Sequence, residues 1–230
     1  QPEVRTHTVG ARGSLFLVAD GMGGAAAGEV ASAMAAEIIL AEVGDLDTNI
    51  LPLTSGRRTV VQAGGNIGIW PVALAGHFDK VLTVEPDEEN HAALLLNLDE
   101  RLKGADRAKV SAYRGAFGAS AGTGAMDRFD RHNIGAHRVK NGAEFSIMRI
   151  DSFDIDDCDL LCLDVEGYEH FAVQGAKETI FRSWPTIVLE LKGLGERYGA
   201  TDVDTITMLA DWGYMIAGHV HRDVIFRRRP

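Results

Sequence analysis

Residues 64–68, Gly-Gly-Asn-Ile-Gly, follow the short apolar run at 59–62, and a carboxylate, Glu85, closes the next apolar run about 20 residues beyond. Glycines let the backbone turn tightly and approach a ligand. An acid at the tip of the second strand accepts hydrogen bonds from ribose hydroxyls. The chemistry this spacing serves is nucleotide binding by a βαβ unit. The window Ala63 to Gly68 is a degenerate form of Gly-x-Gly-x-x-Gly, so the turn alone leaves NAD open, whereas no Gly-Lys-Ser/Thr follows to make a P-loop. Further acids, Asp164, Glu166 and Glu190, stand at the ends of two later apolar runs, where a carboxylate serves as a general base.

The elements that must position these groups alternate. Strands are expected at 59–63, 80–85, 109–115, 145–150, 159–164 and 185–191, and helices at 67–76, 87–103, 168–181 and 202–212. Two closing strands near 214–219 and 222–227 read as an antiparallel hairpin. Strands alternating with helices imply an α/β protein with a mostly parallel sheet and helices on both faces. Ligands of such sheets bind at the carboxyl ends of the strands, where strand order reverses. Residues 119–141, rich in Gly, Ala and charge, are expected to form a mobile loop or lid over that end.

The window at 62–68 resembles the first motif of S-adenosylmethionine-dependent methyltransferases in the form used by the FkbM-like family: acid, apolar residue, Gly, Ala, Asn, Ile, Gly. Gln62 stands in the place of the acid and Gly65 in the place of Ala. Residues 160–176 carry the family's apolar strand, Asp-x-Glu-Gly-x-Glu and Gly-Ala, as Asp164, Glu166, Gly167, Glu169, Gly175 and Ala176. Pro185 to Glu190 matches the following strand with its terminal acid. The resemblance covers about residues 56–226. It implies a Rossmann-like methyltransferase fold, a seven-stranded sheet with the hairpin at one edge, and S-adenosylmethionine as cofactor.

On that resemblance Gln62, Gly64, Gly65, Asn66 and Gly68 hold the methionine part, the Gln without the ion pair an acid would give. Glu85 takes the ribose hydroxyls, Pro86 and Asp87 shape the adenine side, and Ala116 and Phe117 flank the adenine. Methyl transfer to a hydroxyl needs an acceptor held near attack distance and a group to take its proton. Asp164, Glu166, Glu169, His170 and Glu190 form a carboxylate-rich set for this, with Asp164, Glu166 and Glu190 the catalytic candidates and no metal expected. Asp164 also suits contact with the cofactor, and Glu169 and His170 also suit the first turn of a helix. The acceptor implied is a small hydroxylated molecule or a glycan. His132 and His137 read as solvated loop residues; Trp70 and Phe117 read as packing residues.

Residues 1–46 differ in character. A strand at 15–20 runs into Asp-Gly-Met-Gly-Gly at 20–24, then Ala-Gly-Glu-Val-Ala-Ser at 27–32, which leads into an Ala-rich helix expected at 29–43. This stretch resembles the metal-dependent type 2C protein phosphatases, whose Asp and following carbonyl (Asp20 and Gly21) help hold a two-metal centre. Such a centre needs several oxygen ligands, and the remaining ones have no counterpart here. The domains are therefore read as a phosphatase-like fragment at 1–46 and a methyltransferase domain at 47–230.

A net charge of −10 disfavours nucleic acid as a partner. No apolar run reaches the roughly 20 residues of a membrane span, and the polar start is unlike a signal peptide. Cys158 and Cys162, on one strand, are poorly placed to pair and read as core residues in a reducing cytoplasm. Alternatives are a methyltransferase fold that binds without turnover, a phosphatase fragment that recruits partners, and an NAD-dependent oxidoreductase. Asn66 and the Asp-x-Glu-Gly-x-Glu segment argue against the last.

Overall fold

The structure, a computed structural model, describes residues 7–8, 14–15, 46–127 and 138–230. By its contacts the chain divides into two units, Gln1–Thr48 and Asn49–Pro230. In the first, β1 (His7–Thr8) pairs antiparallel with β2 (Ser14–Leu15). The Asp-Gly-Met-Gly-Gly turn and the helix expected at 29–43 lie outside the described residues.

The second unit is built on one sheet. Its strands are β3 (Thr59–Ala63), β4 (Lys80–Glu85), β5 (Val110–Phe117), β6 (Gly122–Asp127), β7 (Arg138–Asn141), β8 (Phe145–Met148), β9 (Cys158–Leu163), β10 (Thr186–Glu190), β11 (Tyr214–Val220) and β12 (Asp223–Arg228). They lie in the order β11-β12-β10-β9-β3-β4-β5-β8-β6-β7. The run from β10 to β8 is parallel, and β12 and β11 turn back antiparallel at one edge.

The helices are α1 (Ile69–Ala75), α2 (Glu88–Arg101), α3 (Gly104–Ala108), α4 (Glu169–Gln174), α5 (Lys177–Ser183) and α6 (Asp202–Asp211). From β3 the chain steps one way to β4 and β5; from β9 it steps the other way to β10. Right-handed crossovers then put α1 and α2 on one face and α4 to α6 on the other. The point of reversal lies between β3 and β9, so their carboxyl ends frame a crevice.

The central strands are buried on both faces, as parallel strands are. Val61, Ala63, Leu161, Leu163, Ile187 and Leu189 share one core cluster. Cys158 and Cys162 are buried free thiols within it or beside it, and burial lifts Cys158 to about 12. No helix among the described residues is long and apolar enough to cross a membrane.

Three expectations are corrected. Among the described residues the sheet has ten strands where seven were implied, because β6, β7 and β8 extend the β5 edge. Part of the expected lid is therefore regular structure: β6 and β7 form an antiparallel hairpin, and β6 also pairs with β8. Gly124 fits the packing here, since a Cβ on it would meet the Phe145 ring at 2.8 Å. His132 and His137 lie outside the described residues. The helix expected at 168–181 is two helices, divided at Gly175–Ala176. Asp151 enters there and accepts hydrogen bonds from the Glu178 and Thr179 N–H groups at 3.2 and 2.9 Å, capping α5.

The amino end of β9 is fixed by an ion pair. Asp159, with no side-chain exposure, accepts from the Arg58 backbone N–H at 2.8 Å and from its guanidinium Nε at 3.0 Å and Nη2 at 2.5 Å. The Arg58 side chain keeps 55% exposure. The two partners therefore differ in what their loss leaves behind. Arg58→Ala strands a buried carboxylate and should destabilise more than Asp159→Ala, which leaves a hydrated cation. Urea unfolding of both variants reads the difference.

Candidate active site

The turn after β3 is held by backbone geometry on both sides. Gly64 has φ +82°, and a Cβ there would lie 1.9 Å from the carbonyl oxygen of Asp164. The Asp164 N–H donates to the Ala63 carbonyl at 3.2 Å, and the Gly65 N–H donates to the Val84 carbonyl at 2.9 Å. Asn66 (φ +44°) and Gly68 (φ +95°) complete the turn in left-handed backbone. Only glycine satisfies both the conformation and the close approach at position 64.

Gln62 lies beneath this turn. It is 2% exposed; its amide nitrogen donates to the Ala63 and Gly64 carbonyls, each at 3.0 Å, and its oxygen accepts from the Thr83 hydroxyl. The carboxamide is thus satisfied inside the protein and serves the shape of the turn.

Glu85, at the tip of β4, accepts from the Asn66 N–H at 2.7 Å and the Asp87 N–H at 2.9 Å, one on each oxygen. Burial lifts its carboxyl to about 6, against the pull of those two N–H groups. A carboxylate has about four acceptor sites, so two such bonds leave capacity for a ligand's hydroxyls. Asp87 caps α2 by accepting from the Glu89 and Asn90 N–H groups at 3.0 and 3.2 Å.

Above these groups opens a cleft of about 640 Å³, part of it solvent. Gly64, Asn66, Glu85, Pro86, Ala116, Phe117, Asp164 and Glu166 line it, together with Val84, Asn90, Gly115, Met126, Val139, Val165 and Tyr168. Eight expected residues therefore converge on one crevice. Gly65 and Gly68 shape the turn without lining the cleft, and Glu190 stands behind it. A polar turn and an acid on one side with apolar Val84, Phe117 and Met126 on another fit a cofactor that is part amino acid, part ribose and part purine.

The carboxylates meet at the ends of β9 and β10. Oxygens of Asp164, Glu166 and Glu190 lie within 4.8 Å of one another. Lys192 supplies the counter-charge: its Nζ is 3.0 Å from Glu166 and 2.5 Å from Glu190. Asp164 is exposed at the cleft, while the protein around its carboxyl limits hydration there. Burial, the hydrogen-bond contact and like charge of Glu190, and the charge of Glu166 hold its carboxyl well above the usual range, against Lys192. Glu166 sits at φ +54°, a strained position for a non-glycine residue of the kind found at functional sites.

Glu169 and His170 have other work. Glu169 is buried and accepts from the Val165 and Gly167 N–H groups at 3.0 and 3.3 Å, holding the loop that carries Asp164 and Glu166. His170 contacts the Thr205 hydroxyl at 3.1 Å and Gln174 at 3.0 Å, facing α6. Sequence reasoning missed Asn90, Met126, Val139, Tyr168 and Lys192. Lys192 alone left a signal, two residues past a strand-end acid.

Two predictions follow from the turn and the loop beneath the site. Gly64→Ala should cost about 2 kcal/mol or more, read by thermal unfolding, because strain and a backbone clash coincide. Burial lifts Glu169 from the ordinary 4.5 to about 7. The folded state then holds a proton that the unfolded chain has lost, so stability falls as pH rises from about 5 through 7. Glu169→Gln should flatten this decline by on the order of 1 kcal/mol per pH unit, in urea unfolding across that range.

The methyltransferase FkbM domain family matches residues 62–216. No curated protein matches the sequence. Among solved structures, the FkbM methyltransferase of Methylobacillus flagellatus KT is similar over 80% of this chain and 47% of its own, at 18% identity and a TM-score of 0.58. The chain thus spans about half the length of that protein. Magnesium protoporphyrin IX methyltransferase of Synechocystis PCC 6803, solved with bound SAM, is similar over 91% of this chain and 86% of its own, at 15% identity and a TM-score of 0.51. At such identities the likeness is one of fold. The match over residues 62–216, spanning the turn, the acid of β4 and the carboxylates of β9 and β10, makes this chain a member of the FkbM methyltransferase domain family.

Proposed function

We propose that the protein is an S-adenosylmethionine-dependent O-methyltransferase acting on a hydroxyl of a small molecule or glycan. The observation that carries this reading is the opening of Asp164 and Glu85 onto one cleft. Glu85 takes the ribose hydroxyls with the oxygen capacity left beyond its two N–H donors. Gly64, Gly65 and Asn66, with Gln62 beneath them, shape the methionine end; Pro86, Ala116 and Phe117 bound the adenine. The cofactor, when bound, supplies a methyl group on a sulfonium leaving group. Asp164 takes the acceptor's hydroxyl proton as its oxygen bonds to carbon, with Glu166 and Glu190 beside it as supporting acids. Two buried free thiols suit a reducing cytoplasm.

A binding module without turnover is the second reading, favoured by Gln62, whose carboxamide is spent on the turn. Residues 1–44 are read as a remnant of a type 2C phosphatase module, with Asp20 lacking the further metal carboxylates.

Titration calorimetry with S-adenosylmethionine and S-adenosylhomocysteine tests the proposal. Binding of either is expected, and Glu85→Ala should weaken it about ten- to a hundredfold. Unchanged affinity in that variant would sink the assignment. Binding with no transfer to any hydroxylated acceptor would favour the second reading.

A further inference from the structure

Lys192 is 19% exposed at its side chain and ties two segments that sequence separates. Its ammonium meets Glu166, on the loop after β9, and Glu190, at the end of β10, but makes no ion pair with Asp164 among the described contacts. The cluster is therefore asymmetric. Asp164 and Glu166 both open to the cleft, and of these two Glu166 is paired with the cation while Asp164 is not.

We propose that Lys192 is a positioning residue: by pairing with Glu166 and Glu190 it leaves Asp164 as the one carboxyl of the cluster that exchanges a proton with the acceptor. This rests on the methyltransferase reading for the identity of the acceptor, and on geometry alone for the sorting of the three acids. Asp164 has no ion pair of its own, and when ionised it stands beside two carboxylates, whose like charge raises its affinity for the acceptor's proton. During transfer the acceptor's O–H bond breaks, its oxygen bonds to the methyl carbon, the carbon–sulfur bond breaks with its electron pair staying on sulfur, and the proton goes to Asp164.

Lys192 thus links Glu166, which has left-handed backbone in the loop after β9, to the end of β10, beside the Glu169 hydrogen bonds that hold the same loop. The charged groups around the cluster are Asp164, Glu166 and Glu169 from the β9 side, Glu190 and Lys192 from β10, and Asp223 of β12, opposite Glu190 in register.

The test is carboxyl NMR of the free 230-residue chain carrying 13Cγ-aspartate, with Asp164 assigned by Asp164→Asn. In the wild type, Asp164 should titrate above the ordinary aspartate range. In Lys192→Met its midpoint should move up by about one pH unit, since a nearby cation is lost, and Lys192→Arg should restore it. An unmoved midpoint in a folded Lys192→Met protein would overturn the proposal. Should that variant not fold, a wild-type Asp164 that titrates in the ordinary range would overturn it equally. Because no cofactor or acceptor is present, the outcome stands apart from whether methyl transfer occurs.

Discussion

The whole site hangs on the absence of one methyl group. The carbonyl of Asp164 stands where a Cβ on Gly64 would be, and the Asp164 N–H returns to Ala63. These contacts follow from the parallel pairing of β3 with β9, which carries Ala63 level with Leu163. Two motifs about a hundred residues apart therefore emerge from the sheet at the same height and touch. The reversal of strand order makes the crevice, and the glycine lets its two walls approach closely enough to serve one ligand. Any displacement of one wall moves the other, because backbone meets backbone without a flexible side chain between.

Electrostatics divides the crevice into two acidic ends. At one end Glu85 is buried, steadied by two N–H donors and close to the carboxylate of Asp87. At the other, three carboxylates crowd one cation. Burial raises Glu85 to about 6 against two N–H donors that oppose it, whereas at Asp164 burial and two neighbouring carboxylates act together, opposed by Lys192. The first arrangement suits holding hydroxyls, which needs an acceptor and little proton traffic. The second suits moving a proton, which needs a carboxyl whose two states lie close in free energy.

Much of this was legible in the residues. The strands at 59–63 and 80–85 were readable because parallel strands buried on both faces are nearly continuous apolar runs, and the acid at the tip of the second, Glu85, marks the carboxyl end of the sheet. The β6–β7 hairpin was not legible. Gly122, Gly124 and Ala125 have low strand propensity, and what places them in a strand is their pairing with β7 and β8 and the close packing of Phe145. The break between α4 and α5 was equally hidden, since the cap comes from Asp151, outside the helix in sequence. At the site, residues attached to a motif were found, whereas Met126, Val139 and Lys192 reach it only through tertiary structure.

Gln62 shows how the turn tolerates the loss of its acid. The position is buried, and both faces of its side chain are met by protein: the Thr83 hydroxyl on one and the carbonyls of Ala63 and Gly64 on the other. A carboxylate there would accept from Thr83 but would face the two carbonyls with no donor, and burial would raise its pKa. A carboxamide meets both demands at once. The cost falls on the ligand side, because a neutral group offers a cofactor's ammonium no charge from β3. The negative charge of the crevice is instead concentrated at the end of β9, where Asp164 crosses the Gly64 turn. The exchange of acid for amide thus trades an electrostatic contact for a rigid turn, and makes the strand-end carboxylates of β9 and β10 the dominant charges in the half of the cleft opposite Glu85.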